Sequence, residues 1–153
     1  MTGKSLKVTG EQAMLEAGAR IARGIDRSEG MLIFLKGDLG AGKTTLVRGL
    51  MRGLGYTGTV KSPTYTIVEP YQLSGIDVYH FDLYRLSDPE ELEYIGARDY
   101  LDSGALCLVE WPEQGEGMLP EPDLFIEIEH LRDCRNLYFS TSSEAGHRLL
   151  AAL

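Results

Sequence analysis

Met31-Leu32-Ile33-Phe34-Leu35-Lys36 runs straight into Gly37-Asp38-Leu39-Gly40-Ala41-Gly42-Lys43-Thr44, and this junction points to a fold class. The apolar run reads as a strand buried on both faces. The next eight residues spell G-x-x-x-x-G-K-T, and Thr45 to Met51 read as a helix. Strand, glycine-rich loop and helix in that order form the context in which the motif carries a mechanism. Glycines let the backbone wrap a phosphate chain with its N–H groups pointing inward. The helix N-terminus adds the positive end of its dipole. Asp38, Leu39, Gly40, Ala41, Gly42, Lys43, Thr44 and Thr45 are therefore the expected binding residues for a nucleoside triphosphate. Lys43 would place a point charge at the β- and γ-phosphates, and the Thr44 hydroxyl would ligate Mg²⁺.

Outward from this unit, Leu6-Lys7-Val8 reads as a short edge strand. Glu11 to Ile25 carries small or apolar residues at helical spacing, with Thr9 or Thr2 as the expected cap. Beyond Gly53-Leu54-Gly55, Tyr65–Leu73 and Val78–Tyr84 read as two strands of a hairpin around Ser74-Gly75-Ile76-Asp77. Ser87-Asp88-Pro89-Glu90 reads as a helix start, and Asp99 to Asp102 closes a short helical stretch. Ala105 to Glu110 has the apolar run of a parallel strand. A loop from Pro112 to Pro122 leads to strands at Leu124–Ile128 and Asn136–Ser140 and then to a C-terminal helix. The expected architecture is one α/β domain over residues 1–153. It is a P-loop NTPase fold with a central parallel sheet, added antiparallel strands and helices on both faces.

The bulk properties narrow the function. With 153 residues and 43% hydrophobic content the chain can bury a core. A net charge of −8 repels phosphate backbones at long range, which argues against direct binding of nucleic acid. Cys107 and Cys134 have no metal-ligand spacing, and Cys107 sits in a strand pattern as a core residue. With no signal-peptide pattern and no apolar run long enough to span a bilayer, a cytoplasmic protein is expected.

A P-loop metal site needs a second acidic residue at the end of a neighbouring strand. Glu110 follows Leu106-Cys107-Leu108-Val109 and suits that role, holding Mg²⁺ directly or through water, or orienting the attacking water. A plain charged residue at a strand end is the alternative. Asp82 has two readings: a metal-sphere carboxylate or general base, and a solvent-facing residue paired with Arg85. Thr64, after Pro63, is a γ-phosphate sensor in one reading and a turn residue in the other.

At this point several motifs combine. The P-loop is followed by Ser62-Pro63-Thr64-Tyr65-Thr66 with Val68-Glu69, by His80-Phe81-Asp82-Leu83-Tyr84-Arg85-Leu86, by Asp88-Pro89-Glu90-Glu91-Leu92 and by Val109-Glu110-Trp111-Pro112-Glu113. In order and spacing these resemble the TsaE family, P-loop ATPases of the tRNA threonylcarbamoyladenosine pathway. The resemblance covers about residues 6 to 140. It implies ATP and Mg²⁺ as cofactors and TsaD and TsaB as protein partners, with tRNA met only through that complex. TsaD transfers the threonylcarbamoyl group to N6 of an adenosine beside the anticodon, and the family's ATPase cycle supports turnover or reset. Lys43, Asp82 and Glu110 carry over as catalytic-site residues, with Thr44 and Glu110 at the metal. Thr64 carries over as a switch residue. Trp111 carries over as an aromatic beside the metal, its plainer reading being a packing residue. Arg135 and residues near Val8 to Thr9 are candidate neighbours of the base. Without an evident arginine finger, hydrolysis by the isolated chain should be slow. Arg85 and Arg98 are candidates for that role in cis.

Two other functions share the P-loop. A small-molecule or nucleotide kinase would need an arginine-bearing helical lid, whereas Arg132, Arg135 and Arg148 fall near strands. A regulatory GTPase would need an Asn-Lys-x-Asp motif, but the only asparagine, Asn136, is followed by Leu137.

Overall fold

The computed structural model describes residues 2–153. Seven strands are present: β1 (Thr2–Val8), β2 (Met31–Lys36), β3 (Val68–Leu73), β4 (Ile76–Asp82), β5 (Leu106–Glu110), β6 (Leu124–His130) and β7 (Arg135–Thr141). They form one sheet in the order β1-β7-β6-β2-β5-β4-β3. Strand β2 lies between β5 and β6, parallel to both, and β4 runs parallel to β5. The antiparallel pairs lie outside this centre: β3 on β4, β7 on β6 and β1 on β7.

The apolar runs have a direct cause. Every residue of β5, and of β2 from Met31 to Leu35, is buried. Successive side chains of a strand point to opposite faces, so a strand covered on both sides needs apolar residues throughout. Ile33 and Leu35 enter one core with Ile21, Leu46, Leu50 and Leu149. Leu32 and Phe34 enter a second with Leu86, Leu92 and Ala97. The first core is closed by helices α1 (Glu11–Arg23), α2 (Lys43–Gly53) and α5 (Glu144–Ala152). The second is closed by the short helices α3 (Glu91–Tyr94) and α4 (Ala97–Leu101). Helices therefore cover both faces. Cys107 is a core thiol whose pKa burial pushes up to about 12. No helix among the described residues is long and apolar enough to cross a membrane.

Helix α1 buries the stripe Met14, Ala17, Gly18, Ile21 and Ala22, and α2 is what that stripe meets. Two glycines set the approach. A Cβ on Gly18 would run into the backbone of Leu46 and Leu50, and one on Gly49 into the backbone of Leu15. The start of α2, and with it the P-loop, is thereby seated against α1.

Local differences from the sequence reading have identifiable causes. Gly10 precedes α1 with no side-chain cap, so neither Thr9 nor Thr2 takes that place. Strand β3 begins at Val68 and not at Tyr65, because Ile67 adopts φ 72° and its N–H closes a turn on the Pro63 carbonyl at 2.7 Å. The hairpin turn is only Ser74-Gly75, since Leu73 already pairs with Ile76. Strand β4 ends at Asp82 and not at Tyr84, because the Tyr84 N–H turns back to donate to Asp82 Oδ1 at 2.9 Å. Helix α3 begins at Glu91, whose carboxylate accepts from the N–H groups of Ser87 and Asp88 at 3.0 and 3.4 Å.

Candidate functional site

The parallel strands β2, β4 and β5 end on the same side of the sheet, and the loops leaving them converge there. Residues Gly37–Gly42 connect β2 to α2. Gly40 and Gly42 have φ of 81° and 110°, in the left-handed region where a side chain is strained. Ala41 N–H turns inward to the Asp38 carbonyl at 3.0 Å. The helical ladder starts only with Leu46 N–H on Gly42 at 2.9 Å, so the amides ahead of it at the start of α2 have no helical acceptor. Asp38, Leu39, Gly40 and Thr44 are exposed and Thr45 is half-buried. A glycine-shaped loop with free amides and exposed residues around them fits a phosphate chain.

Lys43 lies lower than a surface anion site would suggest, at 6% exposure. Its Nζ donates to the Gly37 carbonyl and, at 3.3 Å, to the Asp38 carbonyl. It also sits 4.2 Å from the centre of the Trp111 ring. Burial pushes the ammonium below its ordinary pKa, while Glu110, Asp82, Glu113 and Asp38 pull it back up.

Asp82 and Glu110 are register partners on β4 and β5 and are both buried. Asp82 makes no pair with Arg85. Its Oδ2 accepts the Thr64 hydroxyl at 3.1 Å and its Oδ1 accepts the Tyr84 N–H. The Thr64 hydroxyl is also 2.8 Å from that of Ser62, and Asp82 N–H donates to the Ile67 carbonyl at 2.8 Å. The segment from Ser62 to Ile67 is thus tied to the end of β4. Arg85 instead stacks on the exposed Tyr65 ring at 4.3 Å, and Arg98 is exposed on α4.

Glu110 Oε2 is 2.6 Å from His80 Nε2, and His80 is fully buried. His80 belongs to the His80–Leu86 motif, and its one signal in the sequence is a polar residue inside an apolar strand. Directly after Glu110, Trp111 takes φ 56°, a left-handed conformation rare for a bulky residue. That turn brings its ring over Lys43 and 4.9 Å from the Tyr84 ring.

Arg135 reaches the loop from its other side, where its Nε donates to the Ala41 carbonyl at 3.0 Å. Its register partner on β1 is Val8, so the two candidate neighbours of the base lie together. From Glu116 to Thr141 the chain runs as loop and two strands, with no helical lid. Arg148 lies on α5, paired with Glu29 and Glu144. Among the described residues no three His, Cys, Asp or Glu side chains converge to hold a metal alone. A Mg²⁺ ion here would take Thr44, Glu110 and the phosphates themselves, a donor set of hard oxygens.

A parallel sheet with a glycine loop entering a helix at the strand ends defines the P-loop NTPase fold class. The crystal structure of YdiB from Bacillus subtilis superposes with a TM-score of 0.82 at 28% identity, covering 98% of this chain and 93% of that one. Residues 8–137 match the family described as Threonylcarbamoyl adenosine biosynthesis protein TsaE, and the chain belongs to that family. The tRNA threonylcarbamoyladenosine biosynthesis protein TsaE of Haemophilus influenzae is 46% identical over 145 residues, 93% of this chain and 92% of that protein. The Bacillus subtilis protein of the same name is 43% identical over 104 residues, 68% of this chain and 65% of its own length. The chain's place is therefore in the biosynthesis of threonylcarbamoyladenosine in tRNA.

Proposed function

We propose that the chain is a Mg²⁺-dependent ATPase that supports the TsaB–TsaD enzyme, which places threonylcarbamoyl on N6 of the adenosine next to the tRNA anticodon. The observation that carries this reading is the convergence around Lys43. Its ammonium rests on the carbonyls of the phosphate loop, with the ends of Asp82 and Glu110 beside it. The loop amides and Lys43 bind and neutralise the phosphates. Bound Mg²⁺ supplies charge neutralisation at the β- and γ-phosphates. Thr44 and Glu110 would hold the metal. Asp82, fixed by Thr64 and the Tyr84 N–H, orients the attacking water and takes its proton as the bond from the γ-phosphorus to ADP breaks. Arg85 is held by the Tyr65 ring and hydroxyl, which keeps it from serving as an arginine finger, so hydrolysis by the chain alone is slow.

The acidic composition suits a protein that meets tRNA only through its partners. The role in the transfer step is indirect: the ATP cycle acts on the partner pair and not on the adenosine. Titration calorimetry with ATP, with and without Mg²⁺, tests the binding reading, and phosphate release tests the chemistry. The expected result is Mg²⁺-dependent ATP binding with slow turnover. An absence of ATP binding in the presence of Mg²⁺ overturns the proposal.

A further inference from the structure

Among the described residues, His80 is the one buried polar side chain at these strand ends without a role in the proposed chemistry. It is 0% exposed. On β4 it shares a face with Val78 and Asp82, two positions to either side. Its register partner on β5 is Leu108, so it reaches Glu110 diagonally, underneath the Asp82–Glu110 pair. The contact is short, 2.6 Å from Nε2 to Oε2. A carboxylate has no proton to donate, so Nε2 carries the hydrogen of this bond. Nδ1 is buried and has no partner among the described residues. An unpartnered buried ring nitrogen works against the fold, and an apolar residue of similar size would avoid it. The bond to Glu110 is the only polar contact the ring makes among the described residues. The same residues offer no hydrogen bond to the other carboxylate oxygen, Oε1.

We infer that His80 is a positioning residue: its Nε2–H holds Oε2 of Glu110 so that Oε1 faces the metal shell of the bound nucleotide. The inference rests on the Mg²⁺-nucleotide reading of the site and adds a residue to it. A metal-site carboxylate left free to rotate would sample orientations that do not bind. A hydrogen bond from behind removes that freedom, and loss of such a support weakens metal affinity about 10- to 100-fold.

The test uses the full chain and a fluorescent, non-hydrolysable ATP analogue, read by polarisation across a Mg²⁺ titration and in EDTA. Wild type is compared with E110A, H80L, H80Q and the double variant H80L/E110A. His80→Leu should raise the Mg²⁺ concentration for half-maximal binding about ten-fold or more while leaving the EDTA affinity unchanged. His80→Gln keeps a donor at the Nε2 position and should stay near wild type. The double variant should be no worse than E110A, because His80 acts through Glu110. A wild-type Mg²⁺ curve for H80L, or losses that add in the double variant, overturns the inference while leaving the nucleotide reading intact. If H80L fails to fold, H80N replaces it: its amide is too short to reach Glu110, and a wild-type curve for it is equally fatal. If E110A itself keeps the wild-type Mg²⁺ curve, the metal reading of Glu110 falls and the inference falls with it.

Discussion

Lys43 carries a positive charge where burial disfavours it, held by loop carbonyls and an indole face. Replacing it should therefore harm binding much more than folding. Lys43→Ala should weaken ATP binding by about 10- to 100-fold, the scale of a charged hydrogen bond lost, with an unchanged circular dichroism spectrum. Its lowered pKa also sets a sign. In the window between the folded value and the unfolded 10.5, the unfolded chain binds more protons, so this group's contribution to stability rises with pH. Below that window the full penalty of a buried charge is present. Denaturation of the nucleotide-free protein should thus show Lys43→Met more stable than wild type below that window, with the gap closing as pH climbs towards 10.5. A gap that widens with pH contradicts this account. Asp82 differs: it sits among fixed donors and, under the proposed function, would repel the γ-phosphate in the ground state. Asp82→Ala should keep ATP binding and lose hydrolysis, so binding isotherms and phosphate release should diverge. Parallel loss of both would make Asp82 a metal ligand or a structural residue.

The elements that hold these residues were legible to different degrees. Strands β2 and β5 stand out in sequence because both of their faces are covered, and an unbroken apolar run follows from that. Glu110 was legible for the same reason, as the acidic end of such a run. The start of β3 was not. Ile67 is β-branched and favours a strand, yet its φ is 72° because bonds to Pro63 and Asp82 impose a turn. His80 was not legible either. A lone polar residue in a strand reads as solvent-facing, and its burial depends on a diagonal across β5 that no local pattern encodes. The α1–α2 seat is open to test at this level. Gly49→Ala sets a methyl against the Leu15 backbone and should destabilise the fold by about 1–3 kcal/mol in urea unfolding. It should also lower ATP affinity, since α2 carries the phosphate loop at its start.

Across the molecule, the groups that would sense the γ-phosphate belong to separate segments: Lys43 at the start of α2, Thr64 before β3 and Trp111 after β5. A ligand that draws Lys43 away from the indole changes the surroundings of the only tryptophan. Trp111 fluorescence should therefore differ between an ATP analogue and ADP. Affinity for the TsaB–TsaD pair should differ as well, because a nucleotide shifts a conformational equilibrium only by its unequal affinity for the two states. Equal partner affinity with the analogue, with ADP and without nucleotide would leave a plain ATPase. The bond from Arg135 to the Ala41 carbonyl has a consequence in time. It spans 94 positions of chain, and β6, which flanks β2, also comes from beyond residue 120. Contacts this remote in sequence carry a large loop-closure cost. During synthesis the phosphate loop is translated early, but its latch to Arg135 can form only after β7 has left the ribosome.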